Sequence, residues 1–286
     1  MFMNTNMVQS LNPTKELERA CRRPWEAYVP PFRIAPSVYY ISGNDWVACY
    51  LIETNEGLIL IDTAMHETLY LMLENIRKLG FKPQDIKKIL LSHAHIDHIG
   101  GARALKELSG ATSYIGKRDM FFLKDRRDLI GNEEGNYTCG EFEPDEFYSD
   151  DKPIILGDFS IQTISTPGHT PGCTSFFFNV KDIDGKIKHC GMHGGLGLNT
   201  MSAHYFKESG LSISLRDEFI EGLRKLDKLD VDICIPSHTN QVEILKLRDK
   251  INDNYNPYVN PSVWHDLLRS RQQKVEELIM QENSNQ

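Results

Sequence analysis

Three histidines and one aspartate crowd the stretch Ser92-His93-Ala94-His95-Ile96-Asp97-His98. It follows directly on a run that reads as a buried strand, Ile86–Leu91. In an extended segment His93 and His95 point to one side, while Asp97 and His98 lie at the turn into a helix and can face a neighbouring position. Four ionisable groups packed together suffer desolvation unless they share a partner, and a metal supplies one. The stretch therefore predicts a site for two adjacent metal ions.

Two further histidines lie at similar junctions. His169 is the centre of Thr166-Pro167-Gly168-His169-Thr170-Pro171-Gly172, and His238 ends Ile235-Pro236-Ser237-His238. Each follows a predicted strand, and loops at strand ends are where α/β scaffolds gather ligands, so we expect both to converge on the first stretch. The other histidines lack this context and are expected to be structural: His66, His189, His193, His204 and His265. One alternative stays open, in which His193 reaches the metals from a glycine-rich loop.

Composition excludes several classes of protein. The chain has 286 residues, enough for one large domain or two modest ones. Its formal charge of −8 has the wrong sign for a general nucleic-acid binder. No run of about 18 apolar residues predicts a membrane span, and the polar opening, residues 1–14, does not resemble an export signal. We expect a cytoplasmic protein that acts on a small molecule and binds neither nucleic acid nor membrane; the sequence does not indicate its oligomeric state.

The pattern of elements predicts one domain after an N-terminal arm. The arm covers residues 1–33, and residues 34–286 form a single domain whose last helix is about Pro261–Gln281. An acidic stretch, Arg126–Asp151, is expected to be a long surface loop. Both halves of the domain run strands, helix, strand. The predicted strands are Val38–Ser42, Trp46–Glu53, Leu58–Ile61, Ile86–Leu91, Ala111–Ile115, Phe159–Ile164, Thr174–Val180, Lys186–Cys190 and Asp232–Ile235, and the predicted helices before the last one are Thr68–Leu79, Ala102–Leu108 and Ser212–Leu229.

The motif set H-x-H-x-D-H, T-P-G-H-T-P-G and a last strand-terminal histidine resembles that of the metallo-β-lactamase superfamily over about residues 33–245. This resemblance implies an α/β fold, a four-layer αββα sandwich of two half-repeats. It also implies that two Zn²⁺ ions are the cofactor. The first would be held by His93, His95 and His169, and the second by Asp97, His98 and His238.

The same resemblance implies roles beyond coordination. Asp62 matches the superfamily's first motif, in which an aspartate supports the metal-binding loop from behind without being a ligand. A hydroxide shared by the two zinc ions would be the nucleophile, with Asp97 orienting it as the catalytic carboxylate. The activity implied is hydrolysis of an amide or ester.

One departure from the superfamily pattern favours some of the superfamily's activities over others. Many members carry an aspartate that bridges both metals after the strand near Lys186–Cys190, but here the chain continues as Gly191-Met192-His193-Gly194-Gly195-Leu196-Gly197. This absence favours similarity to subclass-three metallo-β-lactamases over lactonases and glyoxalase-II-like thioesterases. The glycine-rich Gly194–Gly197 replaces the serine-bearing substrate stretch of that subclass. A lactonase or thioesterase acting on an internal metabolite remains the alternative, followed by a diiron redox protein and a metal-binding module without catalysis.

Overall fold

A computed structural model describes residues 15–131 and 139–284. The first fourteen residues of the predicted arm and the centre of the predicted acidic loop lie outside these ranges. The helices in the described ranges are Lys15–Arg22 (α1), Leu69–Lys78 (α2), Ile96–Ile99 (α3), Ala102–Ser109 (α4), Met120–Lys124 (α5), Ala203–Ser209 (α6), Leu215–Leu226 (α7), Ile244–Leu247 (α8) and Pro261–Ser284 (α9). The strands are Phe32–Ala35 (β1), Val38–Tyr40 (β2), Tyr50–Thr54 (β3), Gly57–Ile61 (β4), Ile86–Leu90 (β5), Thr112–Ile115 (β6), Glu146–Phe147 (β7), Ile154–Leu156 (β8), Phe159–Ser165 (β9), Thr174–Lys181 (β10), Ile187–Met192 (β11) and Ile233–Cys234 (β12).

The strands form two sheets. In the first sheet the strands follow chain order from β1 to β7, and pairing is antiparallel as far as β4 and parallel from β4 to β7. The second sheet has the order β12, β11, β10, β9, β8, with only β11 and β12 parallel. The parallel strands matter for function because their carboxyl ends meet at one edge of a sheet.

Apolar side chains build four layers. One cluster packs the first sheet against α2 and α4, as Leu60, Met72 and Leu105 show. A second cluster fills the space between the sheets and includes Ile59 of β4 and Phe176 of β10. A third covers the outer face of the second sheet with α6, α7 and α9. The predicted αββα sandwich is therefore confirmed. No helix among the described residues combines the length and apolar character needed to cross a bilayer.

Predicted and observed elements differ mainly where polar side chains close turns. The predicted strand Trp46–Glu53 begins only at Tyr50, because Asn44 Oδ1 accepts hydrogen bonds from the backbone N–H groups of Trp46 and Val47, at 2.9 Å each. The predicted loop Arg126–Asp151 contains β7, which pairs with β6 and extends the first sheet. Short elements without a clear periodic pattern, such as α5, α6 and β8, were not predicted.

Candidate metal centre

The site lies at the carboxyl edge of the parallel strands of the first sheet. Asp62 directly follows β4, and the stretch from Ser92 to His98 follows β5. His169 lies in the turn between β9 and β10, and His238 comes shortly after β12. All four segments meet at this edge, and the structure brings together all six side chains that the resemblance implied as metal ligands, in two groups of three.

The first group consists of His93, His95 and His169. His95 Nδ1 lies 3.0 Å from His169 Nε2, and the ring of His93 lies 4.8 Å from each of the other two rings. Zinc–nitrogen bonds of about 2.0–2.1 Å in a tetrahedron place neighbouring ligand atoms roughly 3.3–3.4 Å apart. The three imidazoles therefore suit one zinc ion with a fourth position left open.

The second group consists of Asp97, His98 and His238. The Nε2 atoms of the two histidines are 3.2 Å apart, and Asp97 Oδ2 lies 3.3 Å from each of them. These spacings also suit tetrahedral zinc. Asp97 and His98 belong to the short helix α3, whose first turn carries both side chains to the edge of the sheet. The second group is thus built from one helix turn and one loop of the second half.

In two histidines of the first group, the Nδ1 atom lies within hydrogen-bond distance of a backbone carbonyl oxygen. His93 Nδ1 lies 2.9 Å from the carbonyl oxygen of Gly194, and His169 Nδ1 lies 2.9 Å from that of Gly197. A carbonyl oxygen only accepts, so Nδ1 must carry the proton in both rings, which leaves the Nε2 lone pair free for a metal. Such partners fix both the tautomer and the orientation of a metal-binding imidazole.

Asp62 supports the centre from behind. Its Oδ2 accepts hydrogen bonds from His98 Nδ1 and Ser92 Oγ, both at 2.7 Å, and its Oδ1 accepts one from the backbone N–H of Ser92 at the same distance. The side chain is fully buried and the residue has a φ of 59°, a conformation tolerated by aspartate but costly for most residues. Asp62 is therefore placed to orient His98 of the second group.

The ionisation of the first group favours metal binding. Burial, followed by the neighbouring imidazoles, lowers the pKa of His93 and His95 well below the ordinary value. Burial likewise lowers the pKa of His169 to about 4, and it lowers that of His238 in the second group to about 3. These rings are neutral at pH 7, so their lone pairs need not lose a proton before binding a cation.

The second group attracts positive charge. Burial alone would raise the pKa of the Asp97 carboxyl, but His98 and His238 hold it below its ordinary range. Burial alone would lower the pKa of His98, whereas Asp97 and Asp62 raise it to about 10. The buried carboxylates of Asp97 and Asp62 therefore stabilise a positive charge at this position. Either a proton on His98 or a bound metal ion supplies that charge.

The glycine-rich loop Gly194–Gly197 lies against the ligands. A Cβ atom at Gly197 would come within 2.5 Å of His169 Cε1, and one at Gly195 within 2.7 Å of His169 Cδ2. The close approach lets the carbonyl groups of this loop reach His93 and His169. His193 belongs to neither metal group; its Nδ1 accepts from the backbone N–H of Gly195 at 3.2 Å and its ring lies beside Phe219.

We expect Gly197→Ala to displace His169 and to lower zinc occupancy of the first group, because its methyl group overlaps that ring. Zinc content after dialysis against a weak chelator measures the effect. Gly222→Ala is the matched control: a Cβ there meets nothing closer than 3.9 Å in the middle of α7, so it should keep both zinc ions and stabilise the fold by roughly 1 kcal/mol. Full occupancy in Gly197→Ala would contradict this role of the loop.

Sequence reasoning missed Asp119, which joins the two motif loops of the first group. Its Oδ2 accepts from Ala94 N and Thr170 Oγ1, both at 2.8 Å, and its Oδ1 accepts from Gly172 N at 2.6 Å. Burial raises the pKa of this carboxyl to about 6 despite those hydrogen bonds. The residue follows β6, the third parallel strand, so the rule that sites gather at the carboxyl ends of parallel strands could have singled it out.

The first half of the chain also holds His238 in place. The Trp46 ring lies 5.0 Å from the His238 ring, Val47 forms a β-bridge with His238, and the backbone N–H of Thr239 donates to the carbonyl of Trp46 at 2.8 Å. The turn at Asn44, which delays the start of β3, therefore also places Trp46 and Val47 against His238. His238 Nδ1 has no hydrogen-bond partner in the described part of the chain.

Comparison with known protein families identifies the superfamily of the domain that carries these side chains. The sequence pattern of the Metallo-beta-lactamase superfamily matches residues 45–183. The chain contains a metallo-beta-lactamase superfamily domain. This confirms the superfamily predicted from the H-x-H-x-D-H motif, and the matched region contains Asp62 and five of the six side chains of the two metal groups, all but His238.

Curated relatives of this superfamily domain include an N-acyl homoserine lactonase from Bacillus cereus, 31% identical over 190 residues that make up 57% of this chain and 66% of that protein. An uncharacterized Bacillus subtilis protein, YobT, is 34% identical over 46% of this chain and 56% of its own length. Each match thus spans less than two thirds of the relative.

Solved structures align over nearly the whole chain. BJP-1, a subclass B3 metallo-beta-lactamase of Bradyrhizobium japonicum, has a TM-score of 0.81 at 27% identity and covers 92% of this chain and 98% of its own. The metallo-beta-lactamase GOB-18 from Elizabethkingia meningoseptica has a TM-score of 0.79 at 28% identity, covering 94% and 96%. The predicted similarity to this subclass is confirmed at the level of structure.

The remaining histidines lie outside both metal groups. His265 Nδ1 lies 2.8 Å from Asp227 Oδ1 on the outer helices, and His189 Nδ1 lies 2.6 Å from Asn179 Oδ1 on the second sheet. His66 and His204 are exposed. The structural roles expected of these histidines stay predictions.

Proposed function

We propose that this chain is a dinuclear zinc hydrolase that opens a cyclic amide or ester. The observation that carries the proposal is the pair of adjacent three-residue groups, in each of which one possible ligand atom per residue lies within 4.8 Å of the others. Catalytic zinc characteristically has three protein ligands and an open fourth position. Five imidazoles and one carboxylate form a donor set that favours zinc over the all-oxygen sites of magnesium or calcium.

Zinc bound in these groups would supply a hydroxide at neutral pH and polarise the carbonyl oxygen of the substrate. The chain contributes the geometry. Asp97 is ionised at pH 7, and its Oδ2 lies 3.3 Å from the Nε2 atoms of His98 and His238. Its Oδ1 makes no hydrogen bond with the described residues, so it is free to accept one from the attacking oxygen and to orient it. Asp97 therefore acts both as a ligand and as the catalytic carboxylate.

The substrate class is an amide or ester in a ring. The structural relatives are β-lactamases, which favours a β-lactam or similar cyclic amide. The lactonase relative supports a second candidate, the opening of a lactone. In both reactions the same nucleophile attacks a carbonyl group, so one metal centre suits a lactam or a lactone. The side chains around the metal centre determine which of the two substrates binds.

The test is hydrolysis by the zinc-loaded chain of the β-lactam nitrocefin and of an N-acyl homoserine lactone, followed by absorbance and by proton release. We expect turnover of nitrocefin that is lost after zinc removal and restored by added zinc. Turnover of the lactone alone would favour the second candidate. Failure to open either ring, with both zinc ions bound, would contradict the proposed activity.

A further inference from the structure

A cavity lies beside the edge strand β12, near the segment that carries His238. It has a volume of about 700 Å³ and lies between α9 and the segment from residue 240 to residue 258. Its lining combines apolar side chains, among them Val242, Leu247 and Leu267, with the cationic side chains of Lys250, Arg271 and Lys274. None of the residues assigned to the metal centre lines it.

Arg271 is unlike every other arginine of the chain. Each of the others forms an ion pair with a carboxylate. Arg271 makes neither an ion pair nor a hydrogen bond with any residue in the ranges that the structure describes, and its Nε is buried without a partner. A buried guanidinium nitrogen without an acceptor is costly, and burial accordingly lowers the pKa of this residue.

The acidic residues of the cavity do not neutralise Arg271. Glu243 pairs with Lys246 at 2.5 Å, and Asp266 forms no ion pair with Arg271. The neighbouring arginine on α9, Arg269, points elsewhere and pairs with Asp227 at 3.0 Å. The cavity is therefore lined by a guanidinium group that has no ion pair among the described residues, beside apolar walls. This arrangement is complementary to a carboxylate that carries an apolar body.

We propose that this cavity binds a small organic acid, whose carboxylate pairs with Arg271 while its apolar part lies against Val242, Leu247 and Leu267. The site adjoins the metal centre through Gln241, which lines the cavity and whose Oε1 accepts from the backbone N–H of Ser237 at 3.2 Å. Ser237 directly precedes His238. An occupant of the cavity thus contacts the segment that positions a ligand of the second group, but binding itself requires no hydrolysis.

Decanoate is a suitable probe, and its binding to the zinc-loaded full-length chain is measured by isothermal titration calorimetry. We expect Arg271→Gln to weaken binding at least tenfold, since a charge-assisted pair is lost. Lys274→Gln is the matched control, with the same loss of charge on the same helix and the same cavity, and it should change affinity less than about threefold. The neutral isostere decanamide should bind at least tenfold more weakly than decanoate.

Three results would overturn the proposal: unchanged affinity in Arg271→Gln, an equal loss in Lys274→Gln, or equal binding of decanamide. The first would place the carboxylate elsewhere, including at the metals. Circular dichroism verifies that each variant is folded. If Arg271→Gln does not fold, Arg271→Lys keeps the charge but not the planar fork, and it should still weaken binding several-fold. These outcomes are independent of whether the zinc centre opens lactams or lactones.

Discussion

Asp97→Asn is expected to lower kcat on the order of 10³-fold, the largest effect on activity of any single substitution proposed for this chain. Asparagine keeps the shape of the side chain but removes the negative charge that faces His98 and His238 at 3.3 Å. It therefore removes the charged ligand of the second group and replaces one of the two carboxylate oxygens, both hydrogen-bond acceptors, with an amide NH2 group that only donates. Steady-state hydrolysis of whichever ring the wild-type chain opens measures the effect.

Asp253→Asn serves as its control. The Asp253 side chain is 97% exposed, lies 3.8 Å from Arg33 and belongs to neither metal group, so the same chemical change there should alter kcat less than twofold. If Asp97→Asn retained wild-type turnover, its carboxylate could be neither a needed ligand nor the catalytic group.

Asp119→Ala is expected to lower the free energy of unfolding by roughly 3 kcal/mol or more. It leaves the buried donors of Ala94, Thr170 and Gly172 without an acceptor, and each such donor costs about 1–3 kcal/mol. Those donors belong to the two loops that carry His93, His95 and His169. Zinc affinity of the first group should therefore fall together with stability. Urea unfolding at pH 7.5 and zinc content measure the two effects separately.

Asp145→Ala is the matched comparison for Asp119. Its carboxylate also accepts from a backbone N–H and a hydroxyl, both of Ser113, at 2.8 Å each, but it lies beside β6 without joining the metal loops. We expect a smaller loss of stability there and no loss of zinc. Equal zinc loss in both variants would mean that Asp119 acts only through global stability.

The candidate ligand set could be proposed from sequence because the resemblance to the metallo-β-lactamase superfamily implied it. From the residues alone, the position of His169 and His238 after predicted strands indicated only that these two single histidines lie near the first stretch. Asp119 lacked such a signal: one aspartate after a short strand resembles any other turn residue. Its function depends on contacts with Ala94 and Gly172, distant in sequence, which no local pattern contains.

The fold was predictable where apolar periodicity was strong. The helix α2 buries Leu69, Met72 and Ile76 at three-and-four spacing and ends before Gly80, which has a φ of 87°. The start of β3 was not predictable, because the turn formed by Asn44 overrides the β propensity of Trp46 and Val47. Gly194 and Gly197 act through backbone carbonyl groups, which every residue has. The sequence could therefore indicate a close approach of this loop to another group, but not that its carbonyl groups contact His93 and His169.

The most direct test of the central claim is the number of zinc ions bound by the purified chain, counted by inductively coupled plasma mass spectrometry after zinc loading and gel filtration. The two groups described above predict two zinc ions per wild-type chain and one per Asp97→Asn chain. A wild-type chain that retains no zinc, or an Asp97→Asn chain that still retains two, would contradict a dinuclear centre built from these six side chains.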